Sequence, residues 1–326
     1  MTTKARRMRE LFASGQLIVS PGVYDGYSAR LVEAMGYQAA STTGSGLANS
    51  LLAQPDIGIM SMLENARACH QLARAISIPL MADADTGYGN AVSAYHAVQY
   101  FEEAGVVGVN IEDQDWPKRC GHMKGKELIP AIEMASKIEA ACKARKDPDF
   151  VICARTDAIA VEGVDAAIAR ARMYASAGAD LLFPDAVRDE SQIARFVDEV
   201  GIPITINMGF GVRSRPTTPL IPVKRLQEIG VARISLPRML TAAAIGGMRM
   251  ALKLMRESVE TGQVIDRPDL LAGIEDITAL VGYERIEALE AEFLQEDQLQ
   301  RKYGAAAPSY VVPEASNPHR KLESNA

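Results

Sequence analysis

The chain has 326 residues, 48% of them hydrophobic and 23% charged, with a formal net charge of −6, a composition that suits one large globular core. Its acidic balance leaves no basic stripe for a phosphate backbone, which excludes nucleic acid as a partner, and no run of about 18 uncharged apolar residues is present to span a membrane. The four cysteines form no CxxC pair and are too sparse for a secreted disulfide scaffold, so a reducing cytoplasm is the expected compartment.

The opening residues, MTTKARRMRE, run into a short amphipathic pattern without the apolar region or small-residue cleavage site of a signal peptide, and read as soluble and unprocessed. Short apolar, β-branched runs then recur at 17–22, 39–44, 79–85, 106–113, 150–157, 180–186, 203–208 and 232–237, each followed by residues of helical period. Eight strands apolar on both faces and alternating with helices predict a closed (β/α)8 TIM barrel rather than an open sheet. Glycine closes several of the helices, as in EAMGYQ, EEAGVV and ASAGAD, where a left-handed cap turns the chain into the next strand. After the eighth strand, 239–262 reads as a helix and 271–302 continues the helical pattern. A barrel needs only one helix there, so the surplus is expected on a partner subunit. The expected organisation is a barrel over 1–262, a helical extension over 263–304 and a loose tail over 305–326.

In such a barrel the C-terminal strand ends form the catalytic face. Asp83, Asp85, Glu112, Asp113, Arg155, Asp157, Asp185 and Asn207 are therefore expected at one mouth. Strand alternation sends Asp83 and Asp85 to the same side, and two carboxylates so placed need a shared proton or a cation. Mg²⁺ is the hard ion that sits on a few carboxylates while keeping its waters, with Glu112 at the end of the next strand as a further acid. The competing reading is solvation and helix capping by strand-end acids. In the loop 114–126, Lys118, Arg119, His122, Lys124 and Lys126 surround Cys120, and neighbouring cations favour a thiolate. Thr43, Gly44, Ser45 and Gly46 offer backbone N–H groups to an anion and, with Arg155, make a carboxylate cradle. Cys69, Cys142 and Cys153 fall in helical or strand patterns as small core residues.

The segments TTGSG at 42–46, PDIG at 55–58, ADADTGYGN at 82–90, IEDQ at 111–114, PKRCGH at 117–122 and ARTDA at 154–158 resemble, in order and spacing, the isocitrate lyase/phosphoenolpyruvate mutase superfamily. The likeness covers roughly residues 10–300 and is to the methylisocitrate lyase, alkylmalate lyase and carboxyphosphonoenolpyruvate mutase branches. It implies Mg²⁺, with Mn²⁺ as the alternative, held largely through water by Asp83, Asp85 and Glu112 with Asp56 in support. It further implies that Thr43, Gly44, Ser45 and Arg155 hold the oxo-acid end of a small carboxylate substrate. Asn207 and Asp185 also belong to the implied substrate site, while Lys118, Cys120, Gly121 and His122 form a gating loop with Cys120 as acid/base. The family packs as a homotetramer, a dimer of dimers with exchanged C-terminal helices. The implied activity is C–C cleavage of a 2-hydroxy, alkyl-substituted dicarboxylate to glyoxylate or pyruvate. The alternatives are a phosphonate enzyme, an oxaloacetate hydrolase or decarboxylase, and a non-catalytic carboxylate-binding barrel.

Three positions depart from the lyase pattern. Asp185 stands where a glutamate is expected, no glutamate follows Asn207, and the arginine beyond the eighth strand falls at Ala242 unless Arg238 substitutes. At least one of Arg213 and Arg215, in a longer loop after Asn207, is a candidate replacement for the distal-carboxylate receptor, the competing reading being that both are solvated.

Overall fold

The structure, a computed structural model, describes residues 2–121, 123–214 and 217–304. The expected tail over 305–326, His122 and Arg215 lie outside the described residues. Two compact units meet between Leu271 and Ala272. The first carries the strands β1 Ile18–Val23, β2 Ala40–Thr42, β3 Leu80–Asp83, β4 Gly108–Glu112, β5 Val151–Thr156, β6 Leu181–Pro184, β7 Thr205–Asn207 and β8 Arg233–Leu236. Each lies inside or within a residue of one predicted run. All pair in parallel in the order β6-β5-β4-β3-β2-β1-β8-β7. The bridge Leu182–Ile204 joins β6 to β7, with Leu182 N–H donating to Pro203 O at 2.9 Å, so the barrel closes.

Local chemistry sets the helix boundaries. Ser61 and Glu64 form a reciprocal capping box at the start of Met62–Ala75, Asn90 caps Ala91–Glu103, and Gly201 and Gly230 end their helices in left-handed conformation. The amphipathic N-terminal pattern is the helix Lys4–Ala13, whose Ala5 and Met8 pack on Met81, Val151, Cys153 and Leu181. That cluster seals the N-terminal end of the barrel and leaves the C-terminal end as the open one. Cys69 and Cys153 are buried as expected of core residues, whereas Cys142 is only half-buried, on the edge of its helix against Gly178 O.

Helix Met239–Thr261 closes the first unit and has no buried residue. In the second unit the pattern over 271–302 divides into Ile274–Leu280, Tyr283–Phe293 and Glu296–Tyr303, again without a buried residue. Among the described residues no helix is long and apolar enough to cross a membrane.

Candidate active site

A cavity of about 60 Å³ opens at the C-terminal strand ends, several times the 10–15 Å³ that one water needs and enough for a two- or three-carbon acid. Its walls include Thr43, Ser45, Asp56, Asp83, Cys120, Gly121, Arg155, Asp185 and Asn207. Nine of the residues expected to bind ligand or substrate thus face one space.

Asp83 and Asp85 converge, but not by strand alternation. The strand ends at Asp83, and Asp85 has φ of 47°, a left-handed turn that brings its carboxylate against the Lys118 ammonium behind the cavity wall. Asn65 holds this turn by donating from Nδ2 to Asp83 O and to the Tyr88 hydroxyl, each at 2.8 Å. The Lys118 ammonium lies 2.5 Å from Asp56 Oδ1 and 2.8 Å from Asp85 Oδ1, nearly excluded from solvent. Burial opposes the lysine's charge, yet Asp85, Glu112, Asp56 and Asp83 together hold its pKa well above the usual value. The converse appears at Asp85, where burial and its acidic neighbours outweigh Lys118 and push the carboxyl up to about 6. Asp85 Oδ1 has the Lys118 ammonium as its partner.

No three metal-binding side chains among the described residues converge closely enough to grip a bare ion. The donors are all hard carboxylate oxygens grouped around a cationic ammonium. This arrangement fits a divalent ion that keeps most of its water shell and meets the protein through it.

Glu112 is held from both sides, accepting from Gln114 Nε2 at 3.1 Å and pairing with Arg155 Nη1 at 3.0 Å. Gln114 also receives Arg119 N–H and donates to Arg119 O, which fastens the cysteine loop to the end of β4. The loop's base is closed by the antiparallel bridge Gln114–Leu128. Lys126 Nζ returns across it to Gly121 O at 2.8 Å and to Asp157 Oδ1 at 2.7 Å.

These pairings correct the expected electrostatics of Cys120. Two of the three lysines around it are spent on carboxylates, Lys118 on Asp56 and Asp85 and Lys126 on Asp157, and the third, Lys124, is exposed. Burial is the largest influence on the thiol and, with Asp56, raises its pKa despite the opposing pull of Arg238, Lys118 and Arg155. Cys120 is therefore a protonated thiol at neutral pH, suited to giving a proton. Its sulfur accepts from Arg238 Nη2 at 2.9 Å.

Thr43 caps the helix Gly44–Leu52 and its hydroxyl meets Ser45 Oγ at 3.1 Å, and both residues line the cavity; Gly44, expected beside them, does not, its N–H donating to Asp83 Oδ2 at 3.3 Å, while Gly46 N–H donates to the Thr43 hydroxyl at 3.1 Å. Arg155 lies across, clamped on Asp157 through Nε at 2.8 Å and Nη2 at 3.1 Å and stacked over Phe183 at 5.1 Å. Arg155 and Lys126 overcome burial to hold Asp157 at about 2. Gly121 packs directly on Asp185 and Arg155, where an added Cβ would lie 2.8 Å from Arg155 Nη2.

Several expected members are elsewhere. Asp113 points away from the mouth into a buried network, accepting from Thr156 Oγ1 at 2.7 Å and Tyr174 OH at 2.8 Å, because the residue after Glu112 alternates outward toward the helix Val164–Ser176. Glu112, Asp85 and Asp157 do not line the cavity but stand behind its wall, paired with Arg155, Lys118 and Lys126. Arg213 is exposed and does not line the cavity, whereas Arg238 does. Asn110, Arg233 and Ser235 also line it and were not singled out in the sequence. The available signal was an arginine inside the apolar strand run ARISLP.

The family model for phosphoenolpyruvate phosphomutase matches residues 8–256. The chain is 39% identical over 252 residues to a probable 2-methylisocitrate lyase 2 of Corynebacterium glutamicum, covering 77% of this chain and 80% of that one. It is 34% identical over 296 residues to a 2,3-dimethylmalate lyase of Eubacterium barkeri, covering 89% and 98%. Among solved structures, a 2,3-dimethylmalate lyase superposes with a TM-score of 0.83 at 29% identity over 95% of this chain and 99% of that one. A phosphonopyruvate hydrolase in complex with oxalate and Mg²⁺ gives 0.79 at 30% identity over 90% and 100%. With the barrel, the cysteine loop and these likenesses in agreement, the chain belongs to the phosphoenolpyruvate mutase/isocitrate lyase superfamily.

Proposed function

We propose that this chain is a Mg²⁺-dependent carbon–carbon lyase that cleaves a 2-hydroxy, alkyl-substituted dicarboxylate into a 2-oxo acid, glyoxylate or pyruvate, and a second carboxylate. The observation that carries the reading is the Cys120 thiol facing the same cavity as Thr43, Ser45 and Arg155. Thr43, Ser45 and the Arg155 guanidinium orient the 2-oxo half. Asp56, Asp83, Asp85 and Glu112 would hold Mg²⁺ largely through water, and the ion would supply charge stabilisation on the oxo-acid side. A base takes the 2-hydroxyl proton as the C2–C3 bond breaks, the freed O–H electron pair becomes the new C=O bond of the oxo acid, and the C2–C3 pair stays with the departing carbon. Cys120 hands its proton to that carbon, and Arg238, already against the sulfur, neutralises the thiolate that remains. The loop carrying Lys118 and Gly121 excludes water meanwhile.

The proposal extends to a cytoplasmic homotetramer, a dimer of dimers. Its support is the helix Met239–Thr261, which exposes Ile245, Met248, Leu252, Met255 and Val259 in the single chain. The function is tested by screening alkylmalates and methylisocitrate for release of glyoxylate or pyruvate, with and without Mg²⁺. Release from none of them, alongside tight oxalate binding, would refute the lyase reading in favour of a phosphonate enzyme or a binding barrel. Sedimentation of the intact protein tests the assembly.

A further inference from the structure

Each buried cation in the mouth described so far has a carboxylate partner: Lys118 has Asp56 and Asp85, Lys126 has Asp157, and Arg155 has Glu112 and Asp157. Arg233 does not. It opens β8 inside the barrel, 1% exposed, and makes no ion pair among the described residues. Its Nη2 donates to Ser41 Oγ and its Nη1 to Thr205 Oγ1 at 3.4 Å, while Nε–H has no hydrogen-bond partner. Burial lowers its pKa to about 10, which leaves it charged at neutral pH. Its neighbour Cys153 offers no compensation, since burial pushes that thiol up to about 12.

A guanidinium taken out of water against hydroxyls alone is a costly arrangement, and a fold sealed below by the Met8–Met81–Cys153 cluster gives it no route back to solvent. The one open direction is upward. Arg233, at the start of β8, lines the substrate cavity from its floor; Thr43, Ser45 and Asn110 line the same cavity, and Asn110 Oδ1 is likewise buried without a partner. The floor thus presents an unused cationic donor and an unused acceptor to whatever occupies the cavity. A small carboxylate supplies the missing negative charge, and a water carried with it can satisfy Asn110.

We propose that Arg233 is a substrate-positioning residue whose unpaired guanidinium is neutralised by the carboxylate of the bound oxo acid, so that the barrel interior as well as the mouth selects small anions. This rests on the oxo-acid reading above and adds a specificity determinant to it.

Oxalate, titrated calorimetrically at fixed Mg²⁺, is the probe, with Arg233→Met and Arg233→Lys as variants. Arg233→Met is expected to lose about tenfold to hundredfold in oxalate affinity, the range for one hydrogen bond to a charged group. The melting temperature without ligand should hold or rise, because an uncompensated charge has been removed. Arg233→Lys keeps the charge and should retain part of the affinity. A structural arginine would give the opposite pattern, a lower melting temperature with oxalate affinity unchanged, and that result overturns the inference. Should Arg233→Met fail to fold, the parent protein labelled with ¹⁵N-arginine decides. Oxalate should shift one slowly exchanging Nε–H signal that is missing in Arg233→Lys, and no such shift overturns the inference. A parent that does not bind oxalate refutes the oxo-acid reading and this inference together, whereas equal binding by parent and Arg233→Met refutes this inference alone.

Discussion

Lys118 occupies the place where a divalent cation would be drawn, so the two cations compete for the same carboxylates. At 2.8 Å from Asp85 Oδ1, each unit-charge contact amounts to about 6 kcal/mol of gross attraction at an effective dielectric of about 20. Desolvation cancels much of that, and breaking a buried pair of this kind costs about 3–5 kcal/mol net. Replacing Lys118 with Met leaves Asp56 and Asp85 without their cation, and Asp85, already held at about 6, shifts further toward its protonated form. Mg²⁺ can restore what was lost. Allowing for the loop's release from the site, the gain should reach at least about 1.4 kcal/mol, a tenfold tighter binding of Mg²⁺ in the absence of oxo acid. Turnover should fall at the same time, since the loop has lost its anchor over the cavity. Isothermal titration of Mg²⁺ into parent and Lys118→Met at neutral pH measures the effect directly. Equal or weaker Mg²⁺ binding by the variant would refute the shared-site argument.

Replacement of Cys120 by Ser should lower turnover by on the order of 10²–10⁴ while leaving oxalate affinity within a few-fold, because a hydroxyl is a poor proton donor here but the cradle is intact; near-parent turnover would make the cysteine structural. Gly121→Ala places a methyl 2.8 Å from Arg155 Nη2 and against Asp185, so kcat/KM should drop at least about tenfold with an unchanged melting temperature. Parent kinetics would mean that the loop does not stay packed on Arg155 and Asp185 during turnover. Asp157, at about 2 in the folded chain and 3.8 ordinarily, contributes about 2 kcal/mol that is present above pH ~4 and lost as pH falls toward 2. The stability gap between parent and Asp157→Asn should therefore shrink to about half by pH 3; a gap of constant size in unfolding measured at pH 7 and pH 3 would contradict the pairing.

The eight strands and the identity of the mouth were legible in the sequence because they depend on local rules. Apolar runs of strand length, helical period between them and glycine at the helix ends follow from backbone geometry and burial, and those rules do not need the third dimension. The residues at the catalytic end were found for the same reason: polar side chains at the end of an apolar strand have one place to go. The motifs around Asp83, Glu112 and Cys120 added the family.

What the tertiary structure decided was who faces whom. Lys118 and Lys126, near Cys120 in sequence, spend their charge on Asp56, Asp85 and Asp157, which come from other strand ends, so the thiol ends up raised rather than lowered. Asp113 follows Glu112 in the chain and yet turns into a buried network with Thr156 and Tyr174. Arg238 meets Cys120 across 118 positions, and Arg233 meets the cavity floor from inside an apolar strand. Electrostatic coupling and desolvation act through space over a few ångströms, and barrel closure sets those distances between residues that the sequence holds far apart.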